Sequence, residues 1–285
     1  MIKGIAMADH IALKSGLLLP PFGFGTWKLG EDSGARATEV AAVRHAIDLG
    51  FNHLDTAEMY GDGATEDLLG EAIAGIDRAD LILTSKVYPW NARAQDMVRA
   101  CEASLDRLGT DFLDLYLLHW PGSVPFEDTL EGAERLKASG KIRAFGISNF
   151  DARGLSRLID AGLGDAIEVN QVMYNPSRRG IEFDLLPAMD AARIACVAYT
   201  PIEPARLSRN EGFQTVAQEL GLDAAGLAMA WHVSRGAAIP IPKASTVAHV
   251  DQLRAAVDVV LDRETLARID MAFPPPNRPQ PLDIL

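Results

Sequence analysis

Four residues of this 285-residue chain combine types and settings suited to proton chemistry: Asp55, Tyr60, Lys86 and His119. Lys86 closes the run Leu81-Ile82-Leu83-Thr84-Ser85. A lysine at the end of an interior strand must pair with an anion or shift its pKa. Asp55 follows another apolar run, where alone it reads equally well as a helix N-cap. His119 follows the apolar residues 115–118, where a lone histidine is commonly a hydrogen-bonded core residue. Tyr60 alone would be a packing aromatic with a wet hydroxyl. Together the four make an acid-base set, and further polar or aromatic side chains stand at other strand ends: Thr26, Trp27, Ser148, Asn149, Gln171, Tyr199 and Lys243. Packing alone does not call for a titratable or amide group at nearly every strand exit, whereas a convergent reaction mouth does.

The elements that must position these residues are short apolar runs alternating with helix-period segments. Strands are expected at 24–26, 53–55, 81–86, 113–118, 144–148, 168–171, 197–199 and 238–241. A β-hairpin at 11–13 and 17–19, turning at Ser15-Gly16, precedes them. Amphipathic helices fill the gaps, for example 38–49 with Val40, Val43 and Ile47 on one face, and 126–139 ending before Gly140. Strands separated by helices pair in parallel through right-handed crossovers, and eight such units close a (β/α)8 TIM barrel. No linker or low-complexity stretch divides the chain, so residues 1–285 are expected to form one domain ending in a C-terminal tail. A doubly wound sheet would carry a GxGxxG turn after its first strand, but Gly23-Phe24-Gly25-Thr26-Trp27-Lys28 has Lys where the third Gly belongs.

Composition narrows the partners. The formal net charge of −12, from 27 Lys plus Arg against 39 Asp plus Glu, is the wrong sign for a nucleic acid or an anionic membrane surface. No apolar stretch approaches the roughly 20 residues of a membrane span, and the start has no basic region followed by an apolar core. A cytoplasmic monomer is expected. Cys101 and Cys196, without CxxC spacing, read as buried packing residues, Cys101 on the stripe Val98, Cys101, Leu105, Leu108. No metal site is expected.

The strings around these residues resemble the aldo-keto reductase superfamily along nearly the whole chain: Gly23-Phe24-Gly25-Thr26-Trp27, the segment 51–61 (FNHLDTAEMYG), Thr84-Ser85-Lys86-Val87, and the segment 114–121 (DLYLLHWP). The same order continues through Gly146-Ile147-Ser148-Asn149-Phe150, the segment 170–175 (NQVMYN), Tyr199-Thr200-Pro201-Ile202 and Ile241-Pro242-Lys243. The forms DTAEMYGDG, SRRG and PPPNRPQPLDIL look most like the bacterial aldehyde and 2-oxoaldehyde (methylglyoxal-type) reductases. The resemblance implies an NADPH-dependent carbonyl reductase, with NADH as a weaker alternative, and a tetrad of Asp55, Tyr60, Lys86 and His119. A phenol with a reference pKa of about 10 is a reluctant proton donor near pH 7. Lys86 would lower that pKa, Asp55 would hold Lys86 charged, and His119 would donate to or orient the carbonyl oxygen.

By the same resemblance, Tyr199 would stack on the nicotinamide while Ser148, Asn149 and Gln171 bind its carboxamide. Thr200, Pro201 and Ile202 would run along the pyrophosphate, and Lys243, Ala244, Ser245, His249 and Gln252 would lie toward the 2'-phosphate end. Gly25, Thr26, Trp27 and Asp55 would complete the cofactor surface. Trp27, Tyr88, Trp120 and Phe126 would wall an apolar substrate pocket. Two positions depart from the family pattern. His249 stands where many relatives carry an Arg, which makes the NADPH preference shallower. Glu203 stands near the expected pyrophosphate path and would need a partner such as Arg206 or a turn to solvent. Three other readings carry different chemistry: a Schiff-base aldolase using Lys86 or Lys243, a metal hydrolase using His53 and Asp55, and a non-catalytic redox sensor.

Overall fold

A computed structural model describes residues 10–284. The hairpin pairs β1 (Ile11–Ala12) antiparallel with β2 (Leu18–Leu19). Eight parallel strands follow, each hydrogen-bonded to the next in chain order: β3 (Phe24–Gly25), β4 (His53–Asp55), β5 (Ile82–Val87), β6 (Leu113–Leu118), β7 (Ile142–Ser148), β8 (Val169–Met173), β9 (Ala195–Tyr199) and β10 (Ile239–Pro240). Helices separate them, among them Arg36–Asp48, Ala94–Leu108, Phe126–Ala138 and Ala224–Arg235. Gly23 N–H donates to Pro240 O at 2.9 Å and Gly25 N–H to Pro242 O at 2.8 Å, so the ring closes between its first and last strands. The fold is a (β/α)8 barrel.

Period-two alternation divides each strand between two cores. Leu115, Leu117, Ala144, Val169, Val197, Ile239 and Ile241 fill the barrel interior together with Leu13 and Leu19 of the hairpin. A larger core joins the outward faces of the strands, such as Tyr116, Phe145 and Val172, to the helices. The hairpin seals the N-terminal end of the barrel. Lys14 Nζ donates to Gly164 O and Ile167 O, both at 2.9 Å, and Ser15 gives its N–H and its hydroxyl to Glu168 Oε2. With that end plugged, the opposite end, where the strands exit, is the one left to form a mouth.

Most expected elements occur, with shifted ends. β7 starts at Ile142, paired with Leu113, two residues earlier than the sequence pattern places it, because exposed Arg143 interrupts the apolar run. The expected helix 126–139 ends at Ala138, with Gly140 left-handed at φ +73°. Cys101 and Cys196 are buried, and burial pushes both thiols up to about 12, which leaves them unreactive. Among the described residues no helix is long and apolar enough to cross a membrane.

The two seam glycines are required by close approach. A Cβ on Gly25 would lie 2.8 Å from Ile241 O, and one on Gly23 would lie 2.7 Å from His53 O, both backbone atoms that cannot turn aside. Gly25→Ala is therefore expected to destabilise the barrel by about 1–3 kcal/mol, the usual range for overpacking. Urea unfolding would measure it, and a midpoint equal to wild type would show that the seam yields freely.

Candidate active site

The exits of β4, β5 and β8 meet around one buried ammonium. Lys86, the fifth residue of β5, faces the interior with no solvent exposure. Its Nζ donates to Asp55 Oδ1 at 2.5 Å, to Thr56 O at 2.8 Å and to the Tyr60 hydroxyl oxygen at 3.2 Å. An ammonium has three donors, and all three are committed. Asp55, at the end of β4, is bound on its other side by Gln171 of β8, whose Nε2 donates to Oδ2 at 2.7 Å. Burial pulls the Lys86 pKa down, but Asp55 and Tyr60 outweigh it and hold the group above its usual value. An amine held protonated in this way does not suit a Schiff-base lysine, which must lose its proton.

Tyr60 differs from the sequence expectation in one respect. Burial raises its pKa, and the pull of Lys86 only partly offsets this, with Asp55 adding to the rise. The phenol therefore stays protonated across the neutral range, where the sequence reading has Lys86 lowering its pKa. Because the Tyr60 oxygen accepts from Lys86, its own O–H is directed elsewhere.

His119 follows β6. Its ring lies edge-on to Tyr60 at 5.9 Å and tilted against Trp120 at 4.9 Å. Burial, and then the nearby Lys86 charge, push its pKa down to about 2. The ring is neutral at any working pH, so it can offer one N–H without a net charge. His53, two residues before Asp55, is fully buried, pushed down to about 4 by burial, and hydrogen-bonds through Nε2 to Thr84 Oγ1 at 2.9 Å. Among the described residues no group of three or more His, Cys, Asp and Glu is placed to hold a metal ion.

The exits of β7, β8 and β9 carry a second cluster. Ser148 Oγ donates to Gln171 O at 2.9 Å, Asn149 Nδ2 to His119 O at 3.1 Å and to Ser148 Oγ at 3.2 Å, and the Tyr199 hydroxyl to Asn149 Oδ1 at 2.8 Å. Asn149 and Thr200 hold left-handed backbones, φ +62° and +48°, rare conformations for such residues that cluster at functional sites. Asn175 Nδ2 steadies the second by donating to Thr200 O at 3.0 Å. Pro201 is buried and Ile202 half-buried beyond it.

The other sequence-predicted positions are less closely gathered. Gly25 and Thr26 are buried in the seam, with Thr26 Oγ1 donating to Asp55 O at 2.8 Å. After β10, Ala244 is buried and Ser245 half-buried, while Lys243, His249 and Gln252 are exposed, His249 in the first turn of helix Val247–Val257. Glu203 does find a partner, but it is Arg178 and not Arg206. Arg178 Nε and Nη2 bind its two oxygens at 3.1 and 3.2 Å while Nη1 binds Asp283 of the C-terminal tail at 2.8 Å. Burial would raise the Glu203 pKa, but Arg178 prevails and holds it low.

The aromatic wall is also rearranged. Tyr88 stacks on Trp90 at 4.2 Å, and Trp120 meets both edge-on at 5.8 and 5.7 Å. Trp27 is 41 % exposed, with the Lys28 ammonium 4.6 Å from its ring. Phe126 does not join this group. As the first residue of its helix it packs on Phe145 and Phe150, in the layer between helices and barrel. Sequence reasoning misses Trp90, although Tyr88-Pro89-Trp90 directly after Lys86 carries the signal of a paired aromatic arm.

Comparison with known proteins identifies the family. Residues 21–273 match the Aldo/keto reductase family. The chain is 45 % identical over 272 residues to methylglyoxal reductase YeaE of Escherichia coli K12, covering 94 % of this chain and 95 % of that protein. It is 33 % identical over 268 residues to glyoxal reductase of Bacillus subtilis 168, covering 93 % of each. An aldo-keto reductase from Klebsiella pneumoniae, solved in complex with NADPH, superposes with a TM-score of 0.93 at 42 % identity, over 98 % of this chain and 100 % of that one. The chain belongs to the aldo/keto reductase family.

Proposed function

We propose that this protein is an NADPH-dependent oxidoreductase that reduces aldehydes and 2-oxoaldehydes to alcohols, with Tyr60 as the proton donor. The observation that carries the reading is the Lys86 ammonium, fixed by Asp55 and directed at the Tyr60 oxygen. Reduction of a carbonyl needs a hydride at carbon and a proton at the developing alkoxide. NADPH, when bound, supplies the hydride. The residues at the β7, β8 and β9 exits fit such a group: Gln171 spends one amide proton on Asp55 and retains its carbonyl oxygen and second N–H for another amide, beside Ser148 and Asn149. Tyr199 offers a ring next to them, and the left-handed Thr200 leads the chain past it. Exposed Lys243 and His249 on the segment after β10 suit the 2'-phosphate. The relatives named as methylglyoxal and glyoxal reductases support the substrate class.

In this reading the substrate carbonyl lies between the Tyr60 O–H and the His119 N–H, a two-donor site for the oxygen. As charge grows on that oxygen, Tyr60 gives up its proton and the phenolate is met by an ammonium already in place. Neutral His119 contributes a hydrogen bond and no proton.

Tyr60→Phe is expected to lower kcat for aldehyde reduction by at least about 100-fold, the scale of general acid catalysis, with the NADPH dissociation constant unchanged within about twofold. Loss of NADPH absorbance and fluorescence titration measure the two, and retention of more than about a tenth of wild-type turnover would remove Tyr60 from the role.

The pH behaviour follows from the directions of the shifts. Alcohol oxidation needs the phenolate and so rises with pH toward the Tyr60 pKa. Lys86→Met removes the only group among those acting on Tyr60 that lowers that pKa, so the rising limb should move to higher pH. His119, with its pKa near 2, should leave no limb between pH 5 and 8 in aldehyde reduction. An unmoved oxidation profile, or a reduction limb near pH 6.5 abolished by His119→Gln, would contradict these assignments.

Lys243→Ala is expected to weaken NADPH binding by about 1.5–3 kcal/mol with little effect on NADH, the range of a charge-assisted hydrogen bond. His249→Arg should tighten NADPH selectively through a charged planar fork. Equal changes for both cofactors, read by fluorescence quenching, would place the 2'-phosphate elsewhere.

A further inference from the structure

One buried carboxylate takes no part in the proton chemistry. Glu58 lies between Asp55 and Tyr60 in sequence and is only 9 % exposed. Its Oε1 accepts the backbone N–H of Tyr88 at 2.5 Å and the Asn91 Nδ2 at 3.2 Å. Those two residues bracket the short turn Pro89–Asn91, of which Tyr88 is the N-cap and on which Trp90 stands. Glu58 therefore ties the loop that carries the proton donor to the loop that carries the aromatic arm. Its backbone N–H adds a strand-like bond to Lys86 O at 3.3 Å.

The arm presents exposed ring surface. Tyr88 and Trp90 are stacked with 21° between their planes, and Trp90 is 61 % exposed. Rings run without a break from the donor to the mouth: Tyr60 to His119 at 5.9 Å, His119 to Trp120 at 4.9 Å, and Trp120 to Trp90 and Tyr88 at 5.7 and 5.8 Å. A small dicarbonyl held at Tyr60 has no ring to lay on the arm, whereas an aromatic aldehyde does. We infer that Glu58 is a specificity-determining positioning residue, which by holding Tyr88 and Asn91 fixes the Tyr88/Trp90 stack as the surface that binds the ring of aromatic aldehyde substrates. The inference rests on the proton-donor reading of Tyr60.

The chemistry of the two bonds gives a sharp control. Both fall on one oxygen, so Glu58→Gln retains the acceptor, whereas Glu58→Ala removes it and leaves the Tyr88 N–H without its partner. Steady-state kinetics with NADPH would compare benzaldehyde-type substrates with methylglyoxal. For Glu58→Ala, KM for the aromatic aldehyde should rise about three- to tenfold, the worth of a ring-on-ring contact, while its kcat and both constants for methylglyoxal stay within about twofold. Glu58→Gln should restore the wild-type ratio of KM values. The near-UV circular dichroism of the coupled Tyr88, Trp90 and Trp120 rings should collapse in the alanine variant and persist in the glutamine one. Should Glu58→Ala fail to fold, Asn91→Ala removes one of the two ties and Trp90→Ala removes the outer ring, and both should raise the aromatic KM selectively. An unchanged KM ratio in these variants, or equal losses for both substrates, overturns the inference. Tyr60→Phe separates this from failure of the donor reading, since turnover retained there would affect both substrates alike and leave the ratio untouched.

Discussion

The structure depends on keeping one cation dry. Transferring an ammonium from water into a protein interior costs several kcal/mol unless its charge is paired and its protons are bonded. Lys86 meets both conditions, with a carboxylate, a carbonyl and a phenol oxygen for its three protons. Those acceptors come from β4 and the loop after it, so β4 and β5 must stay in register. The ladder His53 to Ile82, Leu54 to Leu83 and Asp55 to Thr84 supplies that register. A slip of one residue in either strand would turn its charged residue, Asp55 or Lys86, to the helical face, and separate it from its partner. The pair proposed to serve the chemistry therefore also aligns the strands, and loss of Asp55 would leave an uncompensated buried charge.

The barrel divides labour along its axis. The plugged end has carbonyl-bonded Lys14 and the Ser15–Glu168 contact, which keep the hairpin on the bottom of the barrel. Leucine, valine and isoleucine fill the middle. At the exits, Gln171 links the cluster around Lys86 to the amide cluster by giving one proton to Asp55. Around the rim, contacts from distant segments hold the strained turns. Asn175 bonds Thr200 O, and Arg178 joins Glu203 of the segment after β9 to Asp283 of the tail. Glu203 is thus a structural anion neutralised by a guanidinium, which accounts for a carboxylate near an expected phosphate path.

Much of this was legible in the chain itself, for definite reasons. Strand exits could be located because apolar runs stop abruptly at a polar residue, as Leu81 to Ser85 does at Lys86. Residues two apart share a face, so the inward pairs His53 with Asp55 and Thr84 with Lys86 follow from β periodicity. Other features turn on distances that no pattern encodes. Nothing in the spacing links Glu58 to Tyr88, 30 positions on, whose N–H its oxygen accepts at 2.5 Å. Phe126 reads as a rim aromatic, but helix geometry turns it onto Phe145 and Phe150. The Arg178 partner of Glu203 is 25 positions away in sequence, behind the nearer and more obvious Arg206. The direction of the Tyr60 shift needed the extent of burial, which outweighs a cation that sequence reasoning alone would make decisive.

That direction has a consequence for how the site is poised. A phenol whose pKa is raised keeps its proton at neutral pH, so under the proposed role Tyr60 starts carbonyl reduction in the state a proton donor requires. The Lys86 contribution is small while the phenol is neutral and becomes large only as negative charge grows on its oxygen, because the attraction depends on that charge. Since Lys86 is already oriented, little reorganisation would accompany the proposed transfer, and stabilisation would be concentrated at the point of charge development. His119, stripped of charge by the same burial and by the same lysine, offers its hydrogen bond without a competing proton. In the proposed reading one buried cation thus bears on both donors: it would stabilise the phenolate formed at Tyr60, and it adds to the burial that chiefly keeps His119 neutral.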